Sequence, residues 1–229
     1  FLEQLLLVQV RKQSMSLFNW LRLKTQKKRV VLCFHIGSSG SAYNELRRPY
    51  GIALHPTLGT LYIADCDNSR LMSYASGAMN GTRLLGGSGL SNTQLLAPVG
   101  IHLDFYSNSL IIANYGAHNV VQYPLGGTSW TLLAGNISGF AGNTSTSFNY
   151  PLDIVLDPMG NMYVTERSNS RIQFFYAGQS IGSIIAGITG VTGSNATTFN
   201  LLSCLCLDSQ LNLYVSDSGN HRIQKFLRY

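Results

Sequence analysis

Leu213-Tyr214-Val215-Ser216-Asp217-Ser218-Gly219-Asn220-His221-Arg222-Ile223-Gln224 reads as two short strands around a tight turn. Aromatic and β-branched residues dominate both flanks, and Ser-Gly-Asn supplies the turn between them. The same wording recurs upstream. Leu61-Tyr-Ile-Ala-Asp65 precedes Asn68-Ser-Arg70-Leu71, Leu110-Ile-Ile-Ala-Asn114 precedes Asn119-Val-Val121, and Met162-Tyr-Val-Thr-Glu166 precedes Asn169-Ser-Arg171-Ile-Gln173. Tyr62, Ile111, Tyr163 and Tyr214 share one position and lie 49, 52 and 51 residues apart. A period near fifty is the first fact to explain.

Each unit extends in both directions. Before it stands a strand: Pro49-Tyr-Gly51-Ile-Ala-Leu54, Pro98-Val-Gly100-Ile-His102-Leu103, Pro151-Leu-Asp153-Ile-Val-Leu156, or Leu202-Ser-Cys204-Leu-Cys206-Leu207. After it comes a β run ending in glycine: Arg83-Leu-Leu-Gly86, Thr131-Leu-Leu-Ala-Gly135, and Ser183-Ile-Ile-Ala-Gly187. Four short strands per period is the arithmetic of a propeller blade, so the expected fold is an all-β β-propeller of four blades. The fourth unit has no outer strand after it. Val30-Val-Leu-Cys-Phe34, followed by Gly37 and Gly40, reads as that strand supplied from the N-terminal side, which closes an otherwise open edge. A basic lead-in at 1–29 and a propeller over 30–229 is the expected division.

Pro-x-Gly-Ile-x-Leu, Leu-Tyr-Val-x-Asp and Asn-His-Arg-Ile-Gln resemble the NHL repeat, with Asp217 to Gln224 as the nearest match. The resemblance covers roughly 30–229. It implies NHL-like blades, and because such propellers more often have six, a fragment of a six-bladed ring is the runner-up architecture. The second unit departs from the pattern, with Asn114 in place of the acid and Asn119 in place of the arginine, which predicts weaker hydrogen bonding in its loop.

Composition narrows the function classes. Charged residues make up 11% and apolar residues 45% of 229, which argues against extended disorder. No apolar run reaches the length of a transmembrane helix. The formal charge of +6 lies at one end: residues 1–48 hold nine Lys/Arg and two acids, whereas 49–229 hold seven and eight. A near-neutral body makes a nucleic-acid partner an unfavoured reading. The basic segment around 2–24, with Leu2, Leu5, Leu6, Leu17 and Leu21, fits a lead-in or a membrane-surface helix.

A side chain repeated in every blade serves the blade. Asp65, Glu166 and Asp217 are therefore expected to accept turn amides and to meet Arg70, Arg171 and Arg222. Asp104, Asp157 and Asp208 are expected turn residues. Function is better sought where blades differ. Along the axial strands His102, Cys204, Cys206 and Asp153 are weak candidates for a metal, but Cys-x-Cys on a strand is no known zinc spacing and core packing explains both cysteines, so no metal or other cofactor is expected. The amidating lyase that shares this propeller type implies several axial histidines. Only His102 falls on an axial strand here. No phosphate loop, nucleophile elbow or H-E-x-x-H motif occurs.

Binding is the class that remains. One face collects the connectors before each axial strand and the loops between second and third strands. On it Tyr50, Tyr115, Phe140, Tyr150 and Arg167 have the aromatic and arginine character of interface anchors, and the expected partner is a protein or a small ligand. Two alternative readings stand beside this non-catalytic scaffold. One is the substrate-recognition module of a ubiquitin ligase or RNA regulator, as in tripartite-motif proteins. The other is a metal-dependent lyase or hydrolase. Sequons at Asn80, Asn136, Asn143 and Asn195 are glycosylation candidates and favour an extracellular location, although about three would arise by chance.

Overall fold

The computed structural model describes residues 39–228, and the lead-in and Val30–Phe34 lie outside the described residues. Among the described residues fifteen strands form four antiparallel sheets in chain order. Blade one comprises β1 (Pro49–Leu54), β2 (Leu61–Asp65), β3 (Arg70–Tyr74) and β4 (Thr82–Gly86). Blade two comprises β5 (Pro98–Asp104), β6 (Ser109–Asn114), β7 (Asn119–Pro124) and β8 (Thr131–Gly135). Blade three comprises β9 (Pro151–Leu156), β10 (Met162–Glu166), β11 (Arg171–Phe175) and β12 (Ser183–Gly187). Blade four has three strands among the described residues: β13 (Leu202–Leu207), β14 (Leu213–Asp217) and β15 (Arg222–Phe226). The molecule is an all-β, four-bladed β-propeller.

The core lies between blades, and this explains why the second strands are apolar on both faces. Tyr62, Ala64, Leu71 and Leu85 of blade one pack against Ile101, Leu110, Ile112 and Val121 of blade two. Ile111, Ala113 and Val120 meet Ile154, Met162 and Val164, and Ile172 meets Leu205, Leu213 and Val215. The inner strands follow one another as β1, β5, β9 and β13, and no comparable packing joins β13 back to β1. Close approach of the inner strands demands glycine twice. A Cβ on Gly51 would collide with the Val99 carbonyl, and one on Gly100 would come within 2.7 Å of the Leu152 carbonyl.

Three second-to-third-strand connections have one design. Cys66–Asn68, Tyr115–Ala117 and Ser218–Asn220 make single 3-10 turns, each closed by a left-handed residue: Ser69 at φ 48°, His118 at 52° and His221 at 54°. In blades one, three and four an acid at the end of the second strand binds the connection together. Asp217 accepts the Asn200 amide (2.7 Å), Asn220 Nδ2 (2.8 Å) and Arg222 Nε (2.7 Å). Asp65 does the same with the Arg47 amide, Asn68 and Arg70, and Glu166 with the Asn149 amide, Asn169 and Arg171. Each arginine then donates to carbonyls of the preceding connector: Arg70 to Ser41, Ala42 and Glu45, and Arg222 to Ser194, Asn195 and Thr198. The recurrent carboxylates are structural clamps.

Blade two solves the same problem differently. Asn114 Oδ1 still accepts the Leu96 amide (2.7 Å), but Asn114 Nδ2 and Asn119 Oδ1 are buried without partners. The Gln94 carbonyl, equivalent to those of Glu45, Ser147 and Thr198, receives the indole N–H of buried Trp130 at 2.7 Å. Trp130 thus replaces the missing arginine as donor. Trp130→Phe should lower stability by about 1–3 kcal/mol, the cost of stranding a buried carbonyl, read as a shift of the thermal unfolding midpoint.

Candidate functional site

The residue before each inner strand is left-handed: Arg48 at φ 47°, Ala97 at 47°, Tyr150 at 55° and Leu201 at 54°. The strands that follow slip register near their starts, between Pro49 and Ile52 in β1 and between Pro98 and Ile101 in β5. Such bulges re-aim side chains. Here they turn residues of several blades toward one shared surface. Buried Cys66, Val99 and Leu152 make an apolar floor, against which Tyr50, Ala97 and Tyr115 pack.

Three of the four expected tyrosine and phenylalanine anchors meet on this floor. The Tyr115 and Tyr150 rings stand 4.6 Å apart, tilted by 32°. The hydroxyl of Tyr50 accepts a hydrogen bond from Arg48 Nη2 at 2.8 Å, and that guanidinium lies 5.4 Å from the ring centroid and 3.2 Å from Asp67. The hydroxyl bond, ahead of other influences, raises the Arg48 pKa. Burial raises the pKa of Tyr115, and the positive charge of Arg167 opposes that shift. Arg167 is half-buried, and among the described residues it has no carboxylate partner. Burial pushes the Cys66 thiol up to about 11, so it is protonated and a poor nucleophile.

The sequence reading missed two members. His118 stacks on Tyr150 at 4.4 Å and accepts the Tyr150 amide through Nδ1 at 3.1 Å. Burial lowers its pKa, which suits a neutral ring with its proton on Nε2. Arg48 is the other, and its signal was present in the sequence as a basic residue at the position Tyr150 occupies in blade three. Phe140 is exposed on the connector between β8 and β9.

The axial candidates divide. Cys204 and Cys206 share their surroundings with Asp153, and all three pKa values are raised, chiefly by burial. His102 is half-buried, and the charge acting on it is that of Asp104. Among the described residues no three His, Cys, Asp or Glu side chains gather as a metal site. Asp153 occupies the position of Gly51 and Gly100 and inserts its carboxylate between blades. Its Oδ2 accepts the Leu205 amide and its Oδ1 the Ile154 amide, both at 3.0 Å, and burial pushes its pKa up to about 6. The sequon residues Asn80, Asn143 and Asn195 are exposed, and Asn136 is half-buried.

Residues 148–175 and 199–226 match the NHL repeat, so the third and fourth blades carry NHL repeats. No curated protein matches the chain. Several solved structures share its fold. An auxiliary nutrient binding protein from Bacteroides thetaiotaomicron superposes with a TM-score of 0.63 at 18% identity, over 78% of this chain and 47% of that one. A nidogen/laminin complex gives 0.60 at 20% identity, over 78% and 60%. Virginiamycin B lyase from Staphylococcus aureus gives 0.55 at 15% identity, over 79% and 52%. The chain spans about half the length of the nutrient binding protein and of the lyase that it matches. At these identities the likeness is one of fold, and the site must speak for the function.

Proposed function

We propose that the chain is a non-catalytic binding propeller whose loop face, built on Tyr50, Tyr115, Tyr150, Arg48 and Arg167, takes a ligand bearing an acidic group. The observation that carries this reading is Arg167, half-buried and, among the described residues, without a carboxylate partner, beside a tyrosine cluster. An incoming carboxylate gains a bidentate partner there, while the rings offer flat contact area at little entropic cost. Nutrient-binding and nidogen/laminin propellers among the fold neighbours agree with a binding role, and a lyase among them shows that the fold alone does not decide. The lyase alternative has weaker support, because among the described residues His102, Cys204 and Cys206 are not brought together with other ligands as a metal site. The nucleic-acid alternative has weaker support on this face, where the described cations Arg47, Arg48 and Arg167 stand with Asp67 rather than as a continuous basic patch.

The test is an array of acidic and charge-neutral peptides and oligosaccharides, probed with the chain and with its Tyr115→Ala and Arg167→Ala variants. Selective binding to acidic members, weakened about tenfold or more in both variants, supports the reading. Binding that neither substitution changes places the ligand elsewhere. Exposed Asn80, Asn143 and Asn195 are open to glycosylation, which a glycosidase-sensitive mass in material from a secretory host checks directly.

A further inference from the structure

Ser69 and His118 occupy the same place in blades one and two. Each is the left-handed residue that closes a 3-10 turn, at φ 48° and 52°. Each also reaches across to the next blade and accepts the amide of the left-handed residue before its inner strand. Ser69 Oγ takes the Ala97 amide at 3.2 Å, and His118 Nδ1 takes the Tyr150 amide at 3.1 Å. The two latches differ in one chemical respect. A serine hydroxyl accepts at any pH, whereas an imidazole nitrogen accepts a backbone N–H only while it is unprotonated. Blade two carries a titratable latch.

We infer that His118 is a positioning residue for the loop face, holding Tyr150 and Arg167 in place while neutral and releasing them when protonated. The effect on binding, though not the latch itself, rests on the function proposed above. Tyr150 is the link. Its amide is held by His118, and its carbonyl accepts the Arg167 amide at 3.1 Å. Its ring meets both His118, at 4.4 Å between centroids, and Tyr115, at 4.6 Å. Its backbone sits at φ 55°, a conformation that strains a tyrosine and persists only under restraint. Protonation puts a second N–H where the Tyr150 N–H points, so the restraint is lost. The titratable groups around the ring are Tyr115 on its own turn, Tyr150 on the facing connector, and Arg167 and Glu166 beyond Tyr150. Residues 136–149 of that connector hold none. Glu166 is committed to Arg171, Asn169 and the Asn149 amide. Burial lowers the His118 pKa below its ordinary 6.5, and among the described residues no charge acts to restore it. The latch is therefore closed above about pH 6.5 and opens as the pH falls below that value.

Amide exchange in the ligand-free full chain tests the latch, with the Ala97 amide as internal control. From about pH 7.5 to about pH 5, after correction for intrinsic exchange, protection of the Tyr150 and Arg167 amides should fall about tenfold or more, while Ala97 keeps its own. Two variants keep an acceptor that does not titrate. His118→Ser copies the Ser69 latch, and His118→Asn offers Oδ1 close to where Nδ1 stands, so in both the Tyr150 protection should not change with pH. Unchanged Tyr150 protection in the parent, an equal loss at Ala97, or an equal fall in the parent and both variants overturns the inference. The second measurement titrates the strongest acidic array member into the same proteins at both pH values. Affinity should fall about threefold or more on acidification in the parent and stay level in the two variants. Tighter binding by the parent in acid, or the same pH dependence in all three proteins, rejects the control of binding. Failure of every acidic array member to bind counts against the proposed function alone, because amide protection reads the latch without a ligand.

Discussion

Arg171→Ala should lower stability by about 3–5 kcal/mol, the largest loss expected from any single clamp residue. Arg171 and Glu166 have side chains 1% and 0% exposed and meet at 2.5 Å. The guanidinium also donates to the carbonyls of Asn143 and Thr144, both at 2.7 Å, and of Ser147 at 3.2 Å. Truncation removes the cationic partner of a buried carboxylate and a donor from three connector carbonyls, of which that of Ser147 keeps Gln173 Nε2 at 3.2 Å. Glu166 keeps Asn169, Gln173 and the Asn149 amide, which soften the loss without removing it. For a chain of this size the thermal midpoint should fall by roughly 10 °C. Arg222→Ala is the control. Its side chain is 30% exposed, so water takes over part of the role, and a loss of about 1–2 kcal/mol is expected. Equal losses at the two sites would show that burial is not what makes the clamp strong.

Asp153→Asn should abolish a pH dependence of stability worth up to about 3 kcal/mol between acid and neutral pH. Asp153 has an ordinary pKa near 3.8 when unfolded and about 6 when folded, raised by burial against two backbone amides that favour the charge. The folded state therefore holds this proton more tightly. Its contribution to stability is complete below pH 3.8 and is lost as pH rises through 6. Asparagine cannot ionise, so the variant escapes the cost of burying the charge, while its Nδ2 meets one of the two amide donors at a cost that does not change with pH. The difference between variant and parent should therefore favour the variant more above about pH 6.5 than at pH 4, changing steadily between pH 4 and pH 6. Denaturant unfolding of both proteins across that range reads it, and a difference that does not change with pH would contradict the account.

The fold was legible because each blade spells itself four times, and turn chemistry at Asp217-Ser-Gly-Asn-His repeats with it. Sequence also placed Tyr50, Tyr115, Tyr150 and Arg167 on one face, because propeller order fixes which loops share an end. What it could not show was their convergence. That depends on left-handed residues before each inner strand, and nothing in Arg48 or Tyr150 advertises a positive φ. His118 was unreadable as a partner, because its contact with Tyr150 crosses from one blade to the next. The substitution of Trp130 for an arginine was equally hidden, since donor and acceptor lie 36 residues apart.

The claim that a ligand with an acidic group binds at Arg167 is tested most directly by titrating the strongest acidic array member into the parent, Arg167→Ala and Arg83→Ala proteins. Arg83 is exposed on β4 and removes the same charge from a different surface. The account expects affinity to fall about tenfold or more in Arg167→Ala and to stay unchanged in Arg83→Ala. Equal affinities in all three proteins would contradict it.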